Sequence, residues 1–266
     1  MDSTFSLESY RALLELALRH GWTFVRFCEL AAPGSERKAA LRHDIDYSIE
    51  MAYEMALVNE SLGVRATFLF LLRSDLYNLL SARSLDRVQR IHDAGQLVGL
   101  HLPCPPHAGV DEDGARQWVA CEFELLRRVA PYAEPVFAWH NPPAPWLERF
   151  RSLEVPGLVN AYGAGFTQDC LYRSDSNLRN SVADFASIFE SADIRRLHWL
   201  VHPLNWVVGG RDMGEIFARA WKRVIREHEA EFMSNTAYAR LMPQGMPAEM
   251  LATFSNTWKA HARAAG

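Results

Sequence analysis

The sequence predicts an α/β fold in one domain, built on parallel strands that are joined by helices. Short apolar runs alternate along the chain with segments whose apolar residues recur at helical spacing. Several runs are apolar throughout, as in strands buried on both faces of a parallel sheet. Parallel strands need helical crossovers, so the alternation predicts an open doubly wound sheet or a barrel. At 266 residues the chain fits a single domain spanning 1–266.

The first half of the chain contains three predicted helices, each closed by a glycine that can stop a helix: Gly21, Gly63 and Gly95. The helices are predicted at 6–20, 48–62 and 85–94. The predicted strands are 22–27, an apolar stub at 39–41, a β-rich run at 64–72, and 96–101.

The second half opens with a proline-rich loop at 102–114, followed by a helix at 115–130 and a strand at 135–140. Residues 155–191 hold short strand-like pieces without a clear period. A buried strand is predicted at 197–201. An apolar stripe from Ile216 to Phe232 has a period of 3.6 and predicts a long C-terminal helix.

Composition narrows the class of protein. A net charge of −4, with both signs mixed along the chain, disfavours nucleic acid as a partner. No apolar run approaches the roughly 18 residues of a membrane span, and we expect no signal peptide, since the first residues lack a charged stretch followed by an apolar core. The four cysteines are far apart, which is typical of reduced thiols and predicts a cytoplasmic protein. The sequence leaves open whether the protein forms a homo-oligomer.

Acidic and imidazole side chains follow four of the apolar runs. Asp44 and Asp46 close one run, and His101, His140 and His202 close three others. Because the carboxyl ends of parallel strands meet at one mouth, we expect these groups to converge. Asp oxygen and imidazole nitrogen suit a divalent metal, Zn²⁺ above all, with open positions for water and substrate. Such a metal supplies what amide hydrolysis needs.

Each of these residues also has a structural explanation when it is taken alone. A histidine at a strand end often only caps a loop, and Asp46 could cap the helix that begins near Ser48. Asp44 and Asp46, however, share one face of a strand, where two carboxylates repel unless a cation or proton lies between them. The joint pattern therefore favours a metal site.

Five motifs, taken together and in order, resemble a known family. They are R-H-D-I-D at 42–46 and the segments 99–101, 139–142, 172–177 and 200–203. They are similar to the polysaccharide deacetylases, the NodB-homology enzymes of carbohydrate esterase family 4, and most of all to the branch whose first motif reads R-H-D-x-D. The resemblance covers about 41–206. It implies a distorted (β/α) barrel of about seven parallel strands, here with extra N- and C-terminal helices.

The resemblance also implies roles for site residues. It implies an Asp-His-His metal site, with Asp46 and His101 as ligands. His202 matches the histidine that protonates the leaving amine, and Asp175 could orient His202 or bind a sugar hydroxyl.

The chain departs from the family pattern at two places. Ile45 stands where the family has an aspartate beside the ligand aspartate, which leaves Asp44 as the candidate base. Pro105 stands where the second ligand histidine is expected, so His140 or His107 would take that role. We prefer His140, because strand ends are rigid and metal ligands need fixed geometry.

The function implied is a metal-dependent hydrolase that removes an N-acyl group, chiefly N-acetyl, from an amino sugar or a small molecule containing one. The residues expected to contact substrate are His43, His107, Asn141, Ser176, Asn177 and Trp206. The main alternative is a carbohydrate-binding member of the fold that has lost hydrolysis. An aspartyl phosphoryl-transfer enzyme or a glycosyltransferase with a D-x-D metal site would leave the strand-end histidines unexplained.

Overall fold

The structure is a computed structural model that describes residues 4–105, 109–247 and 249. Its strands are β1 (Trp22–Phe24), β2 (Arg37–Ile45), β3 (Thr67–Leu71), β4 (Leu97–Pro103), β5 (Val136–His140), β6 (Val159–Asn160), β7 (Leu171–Ser174) and β8 (Arg196–Val201). Its α-helices are α1 (Leu7–Arg19), α2 (Phe27–Leu30), α3 (Ile49–Ser61), α4 (Ala82–Asp93), α5 (Glu112–Val129), α6 (Ala144–Phe150), α7 (Ala164–Thr167), α8 (Val182–Glu190), α9 (Met213–Phe232) and α10 (Thr236–Leu241).

The strands form one parallel sheet in the order β6-β5-β4-β3-β2-β8-β7, and β1 pairs with the first residues of β2. If the two ends of this order, β6 and β7, are placed next to each other, the strands follow one another around a circle from β2 to β8 in chain order. This is the topology of a barrel. In the described part of the chain β6 and β7 do not pair, so the sheet curls into an incomplete barrel with helices around it. The predicted distorted (β/α) barrel is confirmed, and the open doubly wound alternative is set aside.

Strand β2 shows how the two faces of the sheet differ. Ala39, Leu41 and Ile45 point outward into the large core between the sheet and the surrounding helices. Ala40 points inward and packs with Leu69 in a smaller cluster inside the barrel. Because side chains alternate along a strand, Arg42 and Asp44 share the inward face with Ala40, and Asp46 continues this face just beyond the strand.

Three element boundaries differ from prediction, and at two of them a side chain caps the helix earlier than expected. The helix predicted at 85–94 begins at Ala82, since the Ser81 hydroxyl accepts from the backbone of Ser84. The helix predicted at 115–130 begins at Glu112, where Asp111 caps it, and the proline-rich loop is correspondingly shorter. The strand predicted at 22–27 ends at Phe24, and α2 follows it.

No helix in the described ranges is long and apolar enough to cross a membrane.

Candidate metal centre

Three predicted residues meet at the carboxyl ends of neighbouring strands. His101 lies in β4, His140 ends β5, and Asp46 directly follows β2. The Oδ1 atom of Asp46 is 3.2 Å from His101 Nε2 and 3.2 Å from His140 Nδ1. The two imidazole nitrogens are 3.1 Å apart. One oxygen and two nitrogens thus form a nearly equilateral triangle.

This triangle fits a divalent metal. Tetrahedral zinc with bonds of 2.0–2.1 Å places its ligand atoms roughly 3.3–3.4 Å from one another. His101 Nδ1 lies 3.0 Å from the carbonyl oxygen of Ala138, which can only accept, so Nδ1 carries the proton and Nε2 is free to bind metal. Asp46 Oδ1 is buried and has no hydrogen-bond partner among the described residues. A cation at the centre would satisfy all three atoms.

Asp44 lies beside this triangle and is held by a buried arginine. Arg42 Nε donates to Asp44 Oδ1 at 2.7 Å, and Arg42 Nη2 donates to Oδ2 at 2.6 Å. Burial alone would raise the pKa of the Asp44 carboxyl, but the Arg42 guanidinium, together with His101 and His202, outweighs it and the pKa is lowered. Asp44 therefore stays ionised, with Oδ2 3.5 Å from His101 Nε2.

On another side of the triangle lies a pair formed by His202 and Asp175. Asp175, fully buried after β7, accepts from His202 Nδ1 at 2.5 Å and from the His202 backbone N–H at 2.9 Å. Burial opposes the charged imidazolium, but the Asp175 carboxylate, together with those of Asp46 and Asp44, outweighs it and raises the pKa of His202 to about 9. The His202 Nε2 atom faces the centre, 3.9 Å from Asp46 Oδ2.

These groups open into a cavity of about 350 Å³, within the size range of small-molecule sites. Predicted contact residues Asn141, Ser176 and Asn177 line it. Asn141 and Asn177 have φ angles of 42° and 53°, in the left-handed region that most residues avoid and that asparagine tolerates better than most. Such backbone strain clusters at functional sites.

The structure places two other predicted contact residues, His43 and Trp206, away from the cavity. His43 is fully buried on the outward face of β2, where its Nε2 lies 3.1 Å from the Tyr10 hydroxyl and its ring stacks on Phe68. Trp206 is also fully buried, and its indole N–H donates to Asp175 rather than facing the cavity. His107 lies outside the described residues.

Sequence reasoning missed several residues that belong to the site. Arg42 was part of the R-H-D-I-D motif, and its spacing of two from Asp44 could have placed the pair on one strand face. Tyr47, Tyr162 and Phe217 also line the cavity. Phe217 lies far from any motif, and no local signal marks it as a residue of the site.

No family model matches the chain, and no curated protein matches it. Among solved structures, the chain is similar to the chitin deacetylase from the fungal pathogen Colletotrichum lindemuthianum, at 16% identity, covering 70% of this chain and 81% of that chain with a TM-score of 0.43. It is also similar to the family 4 carbohydrate esterase from Streptomyces lividans, solved in complex with acetate, at 14% identity, covering 74% of this chain and 91% of that chain with a TM-score of 0.40.

A third similar structure is BA3943, described as a family 4 pseudoenzyme from Bacillus anthracis. Its identity is 13%, with 74% of this chain and 66% of that chain covered and a TM-score of 0.41. At identities this low, the chemistry of this chain has to be inferred from its own side chains.

Proposed function

We propose that this protein is a metal-dependent amide hydrolase that removes an N-acyl group, chiefly N-acetyl, from an amino sugar or a small molecule containing one. The observation that carries the proposal is the triangle of Asp46, His101 and His140, with an ionised carboxylate and a cationic imidazole beside it. Metal ligands, a proton acceptor and a proton donor are the groups that amide hydrolysis requires.

Zn²⁺ is the metal that we propose for this site. One carboxylate oxygen and two imidazole nitrogens, with room for further ligands from water and substrate, are typical of catalytic zinc. A cation bound by Asp46, His101 and His140 would supply Lewis-acid chemistry, activating water and polarising the acyl carbonyl.

Asp44 acts as the proton acceptor in this proposal. Each carboxylate oxygen has two lone pairs. Asp44 can therefore accept one hydrogen bond from Arg42 on each oxygen and still accept a proton from the attacking water. Arg42 fixes the direction of the carboxylate and keeps it ionised. Its guanidinium also lies over the ring of Tyr162, 5.0 Å from the centroid.

His202 acts as the proton donor. An amide nitrogen is a poor leaving group as an anion, so it has to be protonated as the bond to the acyl carbon breaks. The pair with Asp175 keeps His202 charged at neutral pH and directs its Nε2 toward the cavity. Asp175 positions the donor and does not itself touch the reacting atoms.

A sugar-containing substrate is supported by the lining of the cavity and by the motifs that resemble sugar deacetylases. Asn141, Ser176 and Asn177 offer amide and hydroxyl groups, which can both donate to and accept from sugar hydroxyls. Four free cysteines, two of them exposed, support a reducing compartment, and we propose that the protein works in the cytoplasm on a small substrate.

Two substitutions test the proposal when bound metal and acetate release from N-acetylglucosamine compounds are both measured. We expect Asp46→Ala to lose zinc and activity together. We expect Asp44→Asn to retain zinc but lose activity by about 10²- to 10⁴-fold, the usual contribution of a general base. Asp86→Asn, at an exposed position on α4, is the matched control. Full activity in both site variants would show that the assignment is wrong.

A non-catalytic carbohydrate-binding protein is the second candidate, and the bidentate hold of Arg42 on Asp44 favours it. A carboxylate whose pKa is lowered is a weaker base than a free one. In that case zinc-loaded protein would bind N-acetylglucosamine compounds without releasing acetate.

A further inference from the structure

A tyrosine in the segment between β3 and α4 holds the backbone between the two site aspartates. The ring of this residue, Tyr77, packs against the large core. Its hydroxyl donates to the carbonyl oxygen of Ile45 at 2.6 Å and accepts from the backbone N–H of Leu71 at 2.9 Å. Ile45 is the residue between Asp44 and Asp46. The mechanism proposed above does not use Tyr77.

The Tyr77 hydroxyl lies where the pairing of two strands ends. Ile45 and Phe70 are the last paired residues of β2 and β3. Leu71 is one position farther along β3, so the hydroxyl joins the two strands just beyond their last pair. Its O–H group and one of its lone pairs are both used in this bridge. Tyr77 thus extends the connection between β2 and β3 toward their carboxyl ends, where the metal centre lies.

Asp46 is the proposed ligand that depends on this bridge. It follows β2 directly, and α3 begins at Ile49, so Asp46 belongs to neither element. The peptide group that joins Ile45 to Asp46 is planar, so its carbonyl oxygen and the Cα atom of Asp46 turn together. A hydrogen bond that holds this oxygen therefore fixes the plane from which the Asp46 side chain leaves the backbone.

The chain is fixed again two residues after Asp46. The Ser48 hydroxyl caps α3 by accepting from the backbone N–H of Met51 at 3.2 Å. Asp46 and Tyr47 therefore lie between two fixed points, the Ile45 carbonyl and the cap of α3. Without the Tyr77 hydroxyl, only the second of these points remains.

We propose that Tyr77 is a positioning residue for the metal centre: its hydroxyl orients the Ile45 carbonyl and thereby holds the Asp46 carboxylate in the triangle. Tyr77 acts through the backbone and is not itself a ligand. This inference rests on the proposed function, since it assumes that a metal occupies the triangle. Groups that orient metal ligands from outside typically change metal affinity by about 10- to 100-fold.

Zinc titration of the metal-free protein tests the proposal with Tyr77→Phe, which removes the hydroxyl and keeps the ring. We expect the affinity for zinc to fall about 10- to 100-fold. The visible absorption spectrum of the cobalt-loaded variant should also change, because it reports the geometry of the ligands around the metal. Replacing Tyr77 by 4-aminophenylalanine restores a donor to the Ile45 carbonyl and should recover most of the affinity.

Tyr10→Phe is the matched control. The Tyr10 ring is fully buried, and its hydroxyl donates to Asn59 at 2.7 Å and lies 3.1 Å from His43 Nε2, on the outward face of β2. Tyr10→Phe therefore removes a buried hydroxyl beside the same strand without removing a hydrogen bond to the backbone of the site. Its zinc affinity and cobalt spectrum should match those of the wild-type protein, even where its stability is lower.

Wild-type zinc affinity and cobalt spectrum in Tyr77→Phe would overturn the positioning role. An equal loss of affinity in Tyr10→Phe, or no recovery with 4-aminophenylalanine, would overturn it too, because the effect would then be one of general stability.

The wild-type protein separates this inference from the proposed function. If it binds zinc and releases acetate, but Tyr77→Phe binds zinc equally well, the positioning role falls and the hydrolase stands. If zinc binding depends on Tyr77 but no acetate is released, the hydrolase falls and the positioning role stands. Wild-type protein that takes up no zinc overturns both.

Discussion

Asp175 accepts hydrogen bonds from the ring and backbone of His202 and from the indole N–H of Trp206, which donates to Oδ2 at 2.7 Å. A fully buried carboxylate with these donors is held in one orientation. Because it faces His202 with a negative charge, it determines the charge state of the proposed proton donor. At the scale of single residues, the proposed chemistry depends on this pair as much as on the proposed metal ligands.

Replacing Asp175 by Asn removes the strongest of the charges that raise the pKa of His202, while the burial that lowers the pKa remains. A proton donor is active below its pKa and fails as pH rises through it. We therefore expect the alkaline fall of kcat to move to lower pH, with a lower maximum. The pH profile of acetate release measures the shift, and an NMR titration of the His202 ring measures it without activity.

Asp193→Asn, in an exposed turn before β8, is the control for this substitution. Its profile should match that of the wild-type protein. An alkaline limb that stays in place in Asp175→Asn would mean that His202 is not the donor.

The residues that the sequence placed well are those whose position follows from strand ends alone. Asp46, His101 and His140 close apolar runs, and parallel strands bring such ends together. His43 sits between Arg42 and Asp44, so strand alternation already turns it to the opposite face. Trp206 contacts Asp175 through tertiary packing, which no local pattern in the sequence specifies.

At the scale of elements, strand β4 has the tightest constraint near the site. A Cβ atom on Gly99 would lie 2.6 Å from Leu69 Cδ2 and 2.7 Å from Val136 Cγ1. Gly99 is two residues before His101, so both point to the same face of β4. The close approach of β3, β4 and β5 at Gly99 thus helps to set where the His101 ring lies.

We expect Gly99→Ala to lower the free energy of unfolding by about 1–3 kcal/mol, the usual cost of overpacking a well-filled interior. The shift of β4 should also weaken zinc binding, because His101 moves with the strand. Urea unfolding of the metal-free protein and a zinc titration measure the two effects separately.

Gly165→Ala is the matched control, since a Cβ atom there meets nothing within 4 Å. It should change neither stability nor zinc affinity by a comparable amount. If Gly99→Ala keeps the stability and zinc affinity of the wild-type protein, β4 has room for a Cβ atom at this position despite the short distances to its neighbours.

Helices with a strong apolar period or a glycine at their C-terminal end were predicted well, whereas short elements were not. α1, α3 and α9 follow clear apolar stripes or end near a predicted glycine. The segment 155–191 contains β6 and β7, with two and four residues, and the helix α8. Strands this short hold too few residues to show alternation, and their pairing with β5 and β8 is a tertiary effect.

At the scale of the whole molecule, the order of strands around the sheet brings the site together. β2, β4 and β5 carry the proposed ligands on one side, and β7 and β8 carry Asp175 and His202 on the other. The alternation of strands and helices was enough to predict a parallel α/β fold. The curl of the sheet, and the lack of pairing between β6 and β7 in the described residues, were not predictable from that alternation. Both depend on how side chains fill the interior of the barrel.

The central claim is that one divalent ion joins side chains that are distant along the chain. A crystal structure of the zinc-loaded protein, with the ion located by its X-ray absorption at the zinc edge, tests it most directly. We expect one ion within about 2.0–2.2 Å of an Asp46 oxygen, His101 Nε2 and His140 Nδ1, with further density from water. An ion bound elsewhere, or protein that takes up no zinc while Asp46, His101 and His140 are intact, would contradict the account.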